Sequence, residues 1–128
     1  MGTPSMIGIL NEDGSVTATY CHYDGYLAHN GRVLVEHYNT PERARAVSIA
    51  GYFSSLSEDF VESLESAVHK NEKPVVYDSV KVYMKCGYNH AGAEYLYIFD
   101  GEAWFYAERY GRKTFEEVEM NLSTNSVN

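Results

Sequence analysis

The chain has 128 residues, of which 45% are hydrophobic and 14% aromatic, so it is long enough and apolar enough to fold as one domain. Its formal net charge of −8 disfavours binding to a nucleic-acid backbone, which requires clustered lysine and arginine. No apolar run approaches the ~20 residues of a membrane-spanning helix. Because Cys21 and Cys86 occur without a signal peptide, we expect reduced thiols and a cytoplasmic protein that makes no contact with a membrane.

Regular hydrophobic patterning begins at Met6 and ends near Leu122, which predicts a single domain over residues 6–122. Residues 1–5 are predicted to form a flexible N-terminal arm. The polar residues 123–128 are predicted to form a flexible tail.

The first patterned segment predicts a β-hairpin. Two β-rich runs, residues 6–10 and 15–21, flank the turn-forming residues 11–14. Successive side chains of a strand point to opposite faces, so Cys21 and His22 are predicted to point apart.

Three helices are predicted in the middle of the chain. Residues 32–38 favour a short helix over a strand. Residues 40–42 supply an N-cap, a proline and an early acid for a second helix that ends near Gly51. A third helix is capped by Ser55 or Ser57, and one apolar stripe follows. The stripe consists of Phe60, Val61, Leu64, Ala67 and Val68.

Alternation dominates the last third of the chain. It predicts strands at residues 80–86, 94–99 and 102–107, the last two joined by the Asp-Gly turn at 100–101. A final helix is predicted to start at Thr114.

These elements predict an α+β fold with a mostly antiparallel sheet of about five strands. The N-terminal hairpin and a C-terminal three-stranded meander form the sheet, which packs with three or four short helices. A parallel doubly wound sheet is disfavoured, because helices and strands do not alternate strictly.

Chemically capable side chains concentrate at residues 20–26, Tyr-Cys-His-Tyr-Asp-Gly-Tyr, at the end of a predicted strand. Loops held by strands commonly carry binding sites. No recognised catalytic motif occurs, so we assign no catalytic residue and no cofactor. The candidate binding residues are side chains of this segment, an arginine suited to an anion and two aromatic residues of the C-terminal strands: Tyr20, His22, Tyr23, Asp24, Tyr26, His29, Asn30, Arg32, Tyr97 and Trp104.

The predicted C-terminal hairpin is rich in aromatic residues. Tyr95, Tyr97 and Phe99 share one face, and Trp104 and Tyr106 alternate across the turn. Packing against helices is the default explanation. If one aromatic face is uncovered, it is a surface for a protein partner or for a second copy of the chain.

Two chemical alternatives remain open. The side chains that could ligate zinc or another transition metal are Cys21, His22, Asp24, His29 and His37. They lack the paired spacing of known metal motifs. Cys21 could instead be a nucleophile with His37 or His90 as its base. These alternatives describe a protein that sequesters a small ligand, or a small metal or Cys-His enzyme.

Residues 6–10, 16–26 and 34–38, with Pro41 and Glu42, resemble small proteins of unassigned role encoded by tailed bacteriophages and prophages. The most specific part is the segment Tyr-Cys-His-aromatic-Asp-Gly-Tyr at 20–26. The resemblance implies an accessory phage product made in the bacterial cytoplasm, and it brings no catalytic residues. Such products bind and modulate or inhibit host proteins, including components of anti-phage defence. The leading hypothesis is therefore a non-enzymatic protein that binds a host protein through residues 20–30 or the aromatic sheet.

Overall fold

A computed structural model describes residues 2–66, 72–89, 92–111 and 114–127, in which helices cover both faces of a mixed sheet. The strands are β1 (Ser5–Leu10), β2 (Val16–Cys21), β3 (Tyr52–Phe53), β4 (Val75–Tyr77), β5 (Tyr95–Phe99), β6 (Trp104–Glu108) and β7 (Glu116–Glu117). The helices are a π-helix (Leu27–Gly31), α1 (Arg32–His37), α2 (Pro41–Ser48), α3 (Phe60–Glu65), α4 (Val80–Cys86), a 3-10 turn (Gly87–Asn89) and α5 (Val118–Val127). Within the described ranges, none of the helices has the length and apolar character needed to cross a bilayer.

Strand β1 lies inside the sheet, whose order is β3-β2-β1-β5-β6-β7. It pairs antiparallel with β2, where Ser5 lies opposite Cys21, and parallel with β5, where Ser5 lies opposite Tyr95. The outer edge of β2 is shared: β3 pairs parallel with its end, and β4 pairs antiparallel with its start. The predicted N-terminal hairpin is present as β1 and β2.

The predicted fold class is wrong in its sheet. The described residues form seven strands in a mixed sheet, instead of about five mostly antiparallel strands, and five α-helices instead of three or four. The parallel pairing of β1 with β5 joins strands that are far apart in the chain, so no local pattern reports it. Strands β3, β4 and β7 have only two or three residues each, too few to show a period of two.

Residues 80–86 were predicted as a strand, but they form helix α4. Ser79 caps this helix, since its side chain accepts a hydrogen bond from the Val82 N–H at 3.1 Å. Tyr83 is fully buried, and its hydroxyl donates to the Tyr97 carbonyl at 2.8 Å. Val80, Tyr83 and Met84 all pack in the same core, at the i, i+3, i+4 spacing of a helix. The same residues that alternate between apolar and polar in the sequence therefore also form one apolar face of a helix.

Several element boundaries also differ from the predictions. Strand β1 begins at Ser5, inside the predicted arm, and α5 continues through residues 123–127 of the predicted tail. The hairpin of β5 and β6 turns through residues 100–103, because Asp100 Oδ1 accepts hydrogen bonds from two backbone N–H groups of the turn. The meander is completed by β7 instead of residues 80–86, so the last helix starts at Val118.

The sheet separates two cores. On one face, β1, β5 and β6 contribute Ile7, Ile9, Tyr97, Phe99, Trp104 and Tyr106, which are covered by residues of the π-helix, α1, α2 and α5. On the other face, the strands contribute Met6, Val16, Ala18, Tyr20, Leu96, Ile98 and Ala107. Tyr83 of α4 and Tyr88 of the 3-10 turn belong to this second core. The aromatic face of β5 and β6 is therefore interior.

Two fully buried serines provide a matched test of hydrogen bonding in the core. Ser48 Oγ in α2 has no hydrogen-bond partner, whereas Ser63 Oγ in α3 accepts from the Ser57 N–H at 2.7 Å. We expect Ser48→Ala to raise the free energy of unfolding by about 1 kcal/mol, because it removes an unpaired buried hydroxyl. Ser63→Ala should lower it by about 1–2 kcal/mol, because it leaves the Ser57 N–H unpaired. Urea denaturation measures both, and equal losses in the two variants would contradict this account.

Candidate functional site

Residues 20–30 run from the end of β2 into the π-helix, and we refer to them as the 20–30 segment. Beyond β2, the Tyr23 N–H donates to the Ser54 carbonyl at 2.8 Å. The chain then turns at Asp24, whose φ of 58° lies in the left-handed region that Asp tolerates better than most residues. Because the π-helix begins at Leu27 and continues directly into α1, the segment is held at both ends by regular structure.

Gly25 holds the turn against the sheet. Its N–H donates to the Thr3 carbonyl at 2.7 Å, and its carbonyl accepts from the Tyr97 hydroxyl at 2.6 Å. A Cβ atom at this position would lie 2.6 Å from Thr3 O and 2.8 Å from Ser5 Cβ, so a side chain here would displace residues 3–5. Close approach of two backbones therefore requires glycine at position 25.

Asn30 is the polar centre of the segment and is fully buried. Its backbone N–H donates to the Asp24 carbonyl at 3.2 Å. Its side-chain Nδ2 donates to Ser5 Oγ at 3.2 Å and to Cys21 Sγ at 3.5 Å, while Oδ1 lies 2.9 Å from His29 Nδ1. Because an amide oxygen can only accept, the proton of this last bond is on His29 Nδ1. Asn30, a candidate binding residue, thus holds the segment from within.

Tyr23 and Tyr26 are the exposed aromatic side chains of the segment, with 44% and 40% of their surfaces accessible. The His22 ring lies edge-on to Tyr23 with 4.5 Å between ring centroids, and the His29 ring lies 6.3 Å from Tyr26. Tyrosine combines a large apolar ring with a polar hydroxyl and is enriched in protein interfaces. The segment therefore presents two aromatic contact points on a fixed backbone.

Tyr20 supports His22 from the core. Its hydroxyl lies 3.0 Å from His22 Nδ1, and its ring stacks on Tyr52 with 5.5 Å between centroids. Burial raises the pKa of the Tyr20 hydroxyl, and the neighbouring Tyr52 hydroxyl adds to the effect. Tyr20 stays neutral at physiological pH and restrains the imidazole of His22.

Cys21 faces away from His22 and lies in the core that contains Ile7 and Leu34. Burial raises the pKa of its thiol to about 12, against weaker lowering by hydrogen bonds from Asn30 and the backbone. The thiolate is the nucleophilic form of cysteine, so Cys21 is unreactive near neutral pH. His37 Nε2 lies near two carboxylates, at 3.4 Å from Glu58 and 3.9 Å from Glu36. The other predicted base, His90, lies outside the described residues.

The five predicted metal-ligating side chains do not form a metal site. Cys21 lies in one core, whereas His22, one residue beyond the end of β2, contacts Tyr20 of the other core, and the His29 Nδ1 proton is engaged by Asn30. In the part of the chain that the structure describes, no group of three or more His, Cys, Asp or Glu side chains could hold a metal ion.

Of the three remaining candidate residues, one is exposed and two are buried. Arg32 is exposed on α1 and lies 3.8 Å from Glu36. Trp104 is buried, and its indole N–H donates to the Tyr38 carbonyl at 3.0 Å. Tyr97 is fully buried, packs in the same core as Cys21 and Leu27, and donates to the Gly25 carbonyl. Tyr97 and Trp104 are thus interior residues that hold other parts of the chain by hydrogen bonds.

The sequence patterns did not predict a second exposed surface, which lies on α3. Val61 and Leu64 were predicted to lie on the apolar stripe of a helix, but 62% and 38% of their surfaces are exposed. Next to them lies an open depression of about 520 Å³, lined by His37, Arg43, Glu58, Asp59, Phe60 and Val61. The acids around Val61 and Leu64 in the sequence could have indicated this exposed surface, because a helix face that packs in a core rarely carries so many charges.

The described side chains of the 20–30 segment offer recognition chemistry. They combine exposed tyrosine rings, half-buried histidines and a backbone held by buried hydrogen bonds. Searches with protein-family models, curated proteins and solved structures found no match to the chain.

We expect the two cysteines to differ strongly in reactivity. At about pH 8, iodoacetamide should label the half-buried Cys86 in the native protein, whereas burial and a pKa of about 12 protect Cys21. Cys21 should react at least about 100-fold more slowly, because so little thiolate forms. Peptide mass spectrometry gives both rates, and labelling in urea provides the control in which both react. Comparable native rates would restore the nucleophile hypothesis.

Proposed function

We propose that this protein is a bacteriophage-encoded accessory protein that binds and modulates or inhibits a bacterial host protein in the host cytoplasm. The 20–30 segment is its contact surface. The observation that carries this proposal is a backbone held by buried hydrogen bonds that leaves Tyr23 and Tyr26 exposed. The resemblance of residues 20–26 to small phage and prophage proteins supports the origin of the protein and the class of its partner.

A fixed segment is suited to tight binding. Association costs the conformational entropy of each group that becomes ordered, and a loop already held in one conformation loses less. Asn30 and the Tyr97 hydroxyl provide this order before a partner arrives. Exposed tyrosines then supply contact area with few rotatable bonds, as in the binding loops of antibodies.

The charge of the chain favours a basic partner surface. The net charge of −8 attracts positively charged surfaces and speeds their encounter at low ionic strength. The alternatives of a Cys-His enzyme or a metal protein have no comparable support, because the Cys21 thiol is fully buried with a raised pKa and the described residues contain no group of three or more His, Cys, Asp or Glu side chains that could hold a metal ion.

The central test is recovery of a partner from a bacterial lysate by the tagged protein, with native mass spectrometry of the complex. The triple variant Tyr23→Ser, Asp24→Asn, Tyr26→Ser should lose the partner, with Kd raised at least about 100-fold, because it removes both exposed rings. Asparagine at position 24 tolerates the left-handed backbone, so the fold should be kept.

The matched control for this test changes an exposed tyrosine and an exposed aspartate elsewhere, as Tyr110→Ser with Asp78→Asn. It should recover the same partner in the same stoichiometry as the wild type. If the triple variant still recovers the partner, the 20–30 segment is not the contact surface. If the lysate yields no stoichiometric partner, the proposed function is wrong.

Two buried tyrosines test whether order in the segment contributes to binding. Tyr97→Phe removes the hydroxyl that holds Gly25, so we expect about 5- to 10-fold weaker binding and a loss of about 1–2 kcal/mol in unfolding free energy. Tyr83→Phe removes an equally buried hydroxyl that donates to the Tyr97 carbonyl and should cost similar stability without changing affinity. Calorimetry with the recovered partner gives both affinities. Equal affinity losses would show that general destabilisation is the cause.

A further inference from the structure

Residues 54–66 form a compact segment around α3 that is held together by serine hydroxyls. Ser66 Oγ accepts hydrogen bonds from the backbone N–H groups of Ser54 and Ser55, at 3.2 Å and 3.1 Å. Asp59 caps α3 through its side chain, which accepts from the Val61 N–H at 2.9 Å. The segment is therefore ordered by its own polar groups.

One side of this segment is attached to the end of α1. The Tyr38 hydroxyl donates to the Ser57 carbonyl at 2.6 Å, and the Phe60 ring lies edge-on to Tyr38. His37 Nε2 lies 3.4 Å from Glu58 Oε2. These contacts determine which side of α3 is turned outward.

The outward side carries Val61 and Leu64, three positions apart and so on one helix face. The depression described above borders Val61 and also contains the half-buried ring of Phe60. Apolar side chains beside a depression are the usual receiving surface for an apolar side chain of a partner.

Carboxylates surround this apolar pair. Residues 58–65 contain four exposed acids and no lysine or arginine; the acids are Glu58, Asp59, Glu62 and Glu65. The depression also contains the exposed Arg43, whose guanidinium lies over the Tyr38 ring at 5.2 Å from its centroid, so the negative charge is concentrated on α3 itself. A helix face with an apolar pair among carboxylates is complementary to an apolar side chain flanked by lysine or arginine.

We propose that α3 and the adjoining depression form a second docking surface, which receives a basic amphipathic segment of the partner protein. Its apolar side chains cover Val61 and Leu64, and its lysine or arginine side chains pair with the surrounding carboxylates. A second copy of this chain is disfavoured as the occupant, because it carries the same net charge of −8. The inference rests on the proposed function as a protein-binding protein, but it uses residues outside the 20–30 segment.

The direct test uses a synthetic helical peptide of about 16 residues, with leucine on one face and lysine on the other. Calorimetry should show binding to the wild-type protein that weakens with added salt. Val61→Ser with Leu64→Ser should weaken binding at least about tenfold, because both apolar contacts are lost. Glu62→Gln with Glu65→Gln should weaken it several-fold and reduce its salt dependence.

Matched controls change similar residues at other exposed positions. Ile49→Ser with Val76→Ser removes two exposed apolar side chains, and Glu12→Gln with Glu42→Gln removes two exposed carboxylates. Both should bind the peptide as the wild type does. Absence of peptide binding would overturn the proposal, as would binding that is unaffected by the Val61 and Leu64 changes. Concentration-dependent dimers that disappear in that variant would overturn it in favour of a second copy.

The two proposals fail separately. The Tyr23, Asp24, Tyr26 triple variant should bind the peptide normally, since α3 is unchanged in it. Failure of the peptide test leaves lysate capture through the 20–30 segment untouched. Conversely, a lysate without a stoichiometric partner would overturn the proposed function even where the peptide binds.

Discussion

The structure depends on the central position of β1, which is paired antiparallel with β2 on one edge and parallel with β5 on the other. A parallel neighbour requires a connection that leaves the sheet and returns, so helices come to cover both faces and two cores form. The same pairing places Ser5 next to Cys21 and Tyr95 in register. Asn30 donates to the hydroxyl of Ser5, so the 20–30 segment is built directly on the centre of the sheet.

Burial decides the roles of the polar residues in that segment. A cysteine thiol can serve as a nucleophile, but the Cys21 thiol is buried in the core, where it accepts a hydrogen bond from the Asn30 amide. A buried amide left unpaired would cost about 1–3 kcal/mol, so Asn30, Ser5 and Cys21 stabilise one arrangement together. The side chains that remain for contact with other molecules are those that the buried network turns outward, above all Tyr23 and Tyr26.

Local signals in the sequence predicted the hairpin, the opposed faces of Cys21 and His22, and the helices α1 and α2, because each is encoded by neighbouring residues. They failed at residues 80–86, where one order of residues fits both periods. There the Ser79 cap and the burial of Tyr83, whose hydroxyl reaches the Tyr97 carbonyl, stabilise the helix. Residue chemistry singled out residues 20–30 as a candidate segment, but the sequence could not separate the interior of that segment from its surface. Asn30 and Tyr97 have the chemistry of contact residues, but both are fully buried. Asn30 donates to Ser5 and Cys21, and the Tyr97 hydroxyl donates to the Gly25 carbonyl, and no local pattern reports contacts between residues so far apart in the sequence.

Helix α3 is ordered mainly by polar groups and not by its exposed apolar side chains. Its six residues are too few for a helix to form alone, and its order comes from the Asp59 cap, the serine hydroxyls and the contact with Tyr38. Full burial of such a side chain is worth about 1.5–3 kcal/mol. With 62% of Val61 exposed, more than half of that free energy is still available for association, whereas Leu64, 38% exposed, has already used the larger part of it in folding. Since the Tyr23 N–H donates to the Ser54 carbonyl, the order of α3 and that of the 20–30 segment are physically joined. Each surface is nevertheless held by its own polar groups, the Asn30 amide and the Tyr97 hydroxyl in one and the serine hydroxyls in the other, so the two proposed contacts are separable.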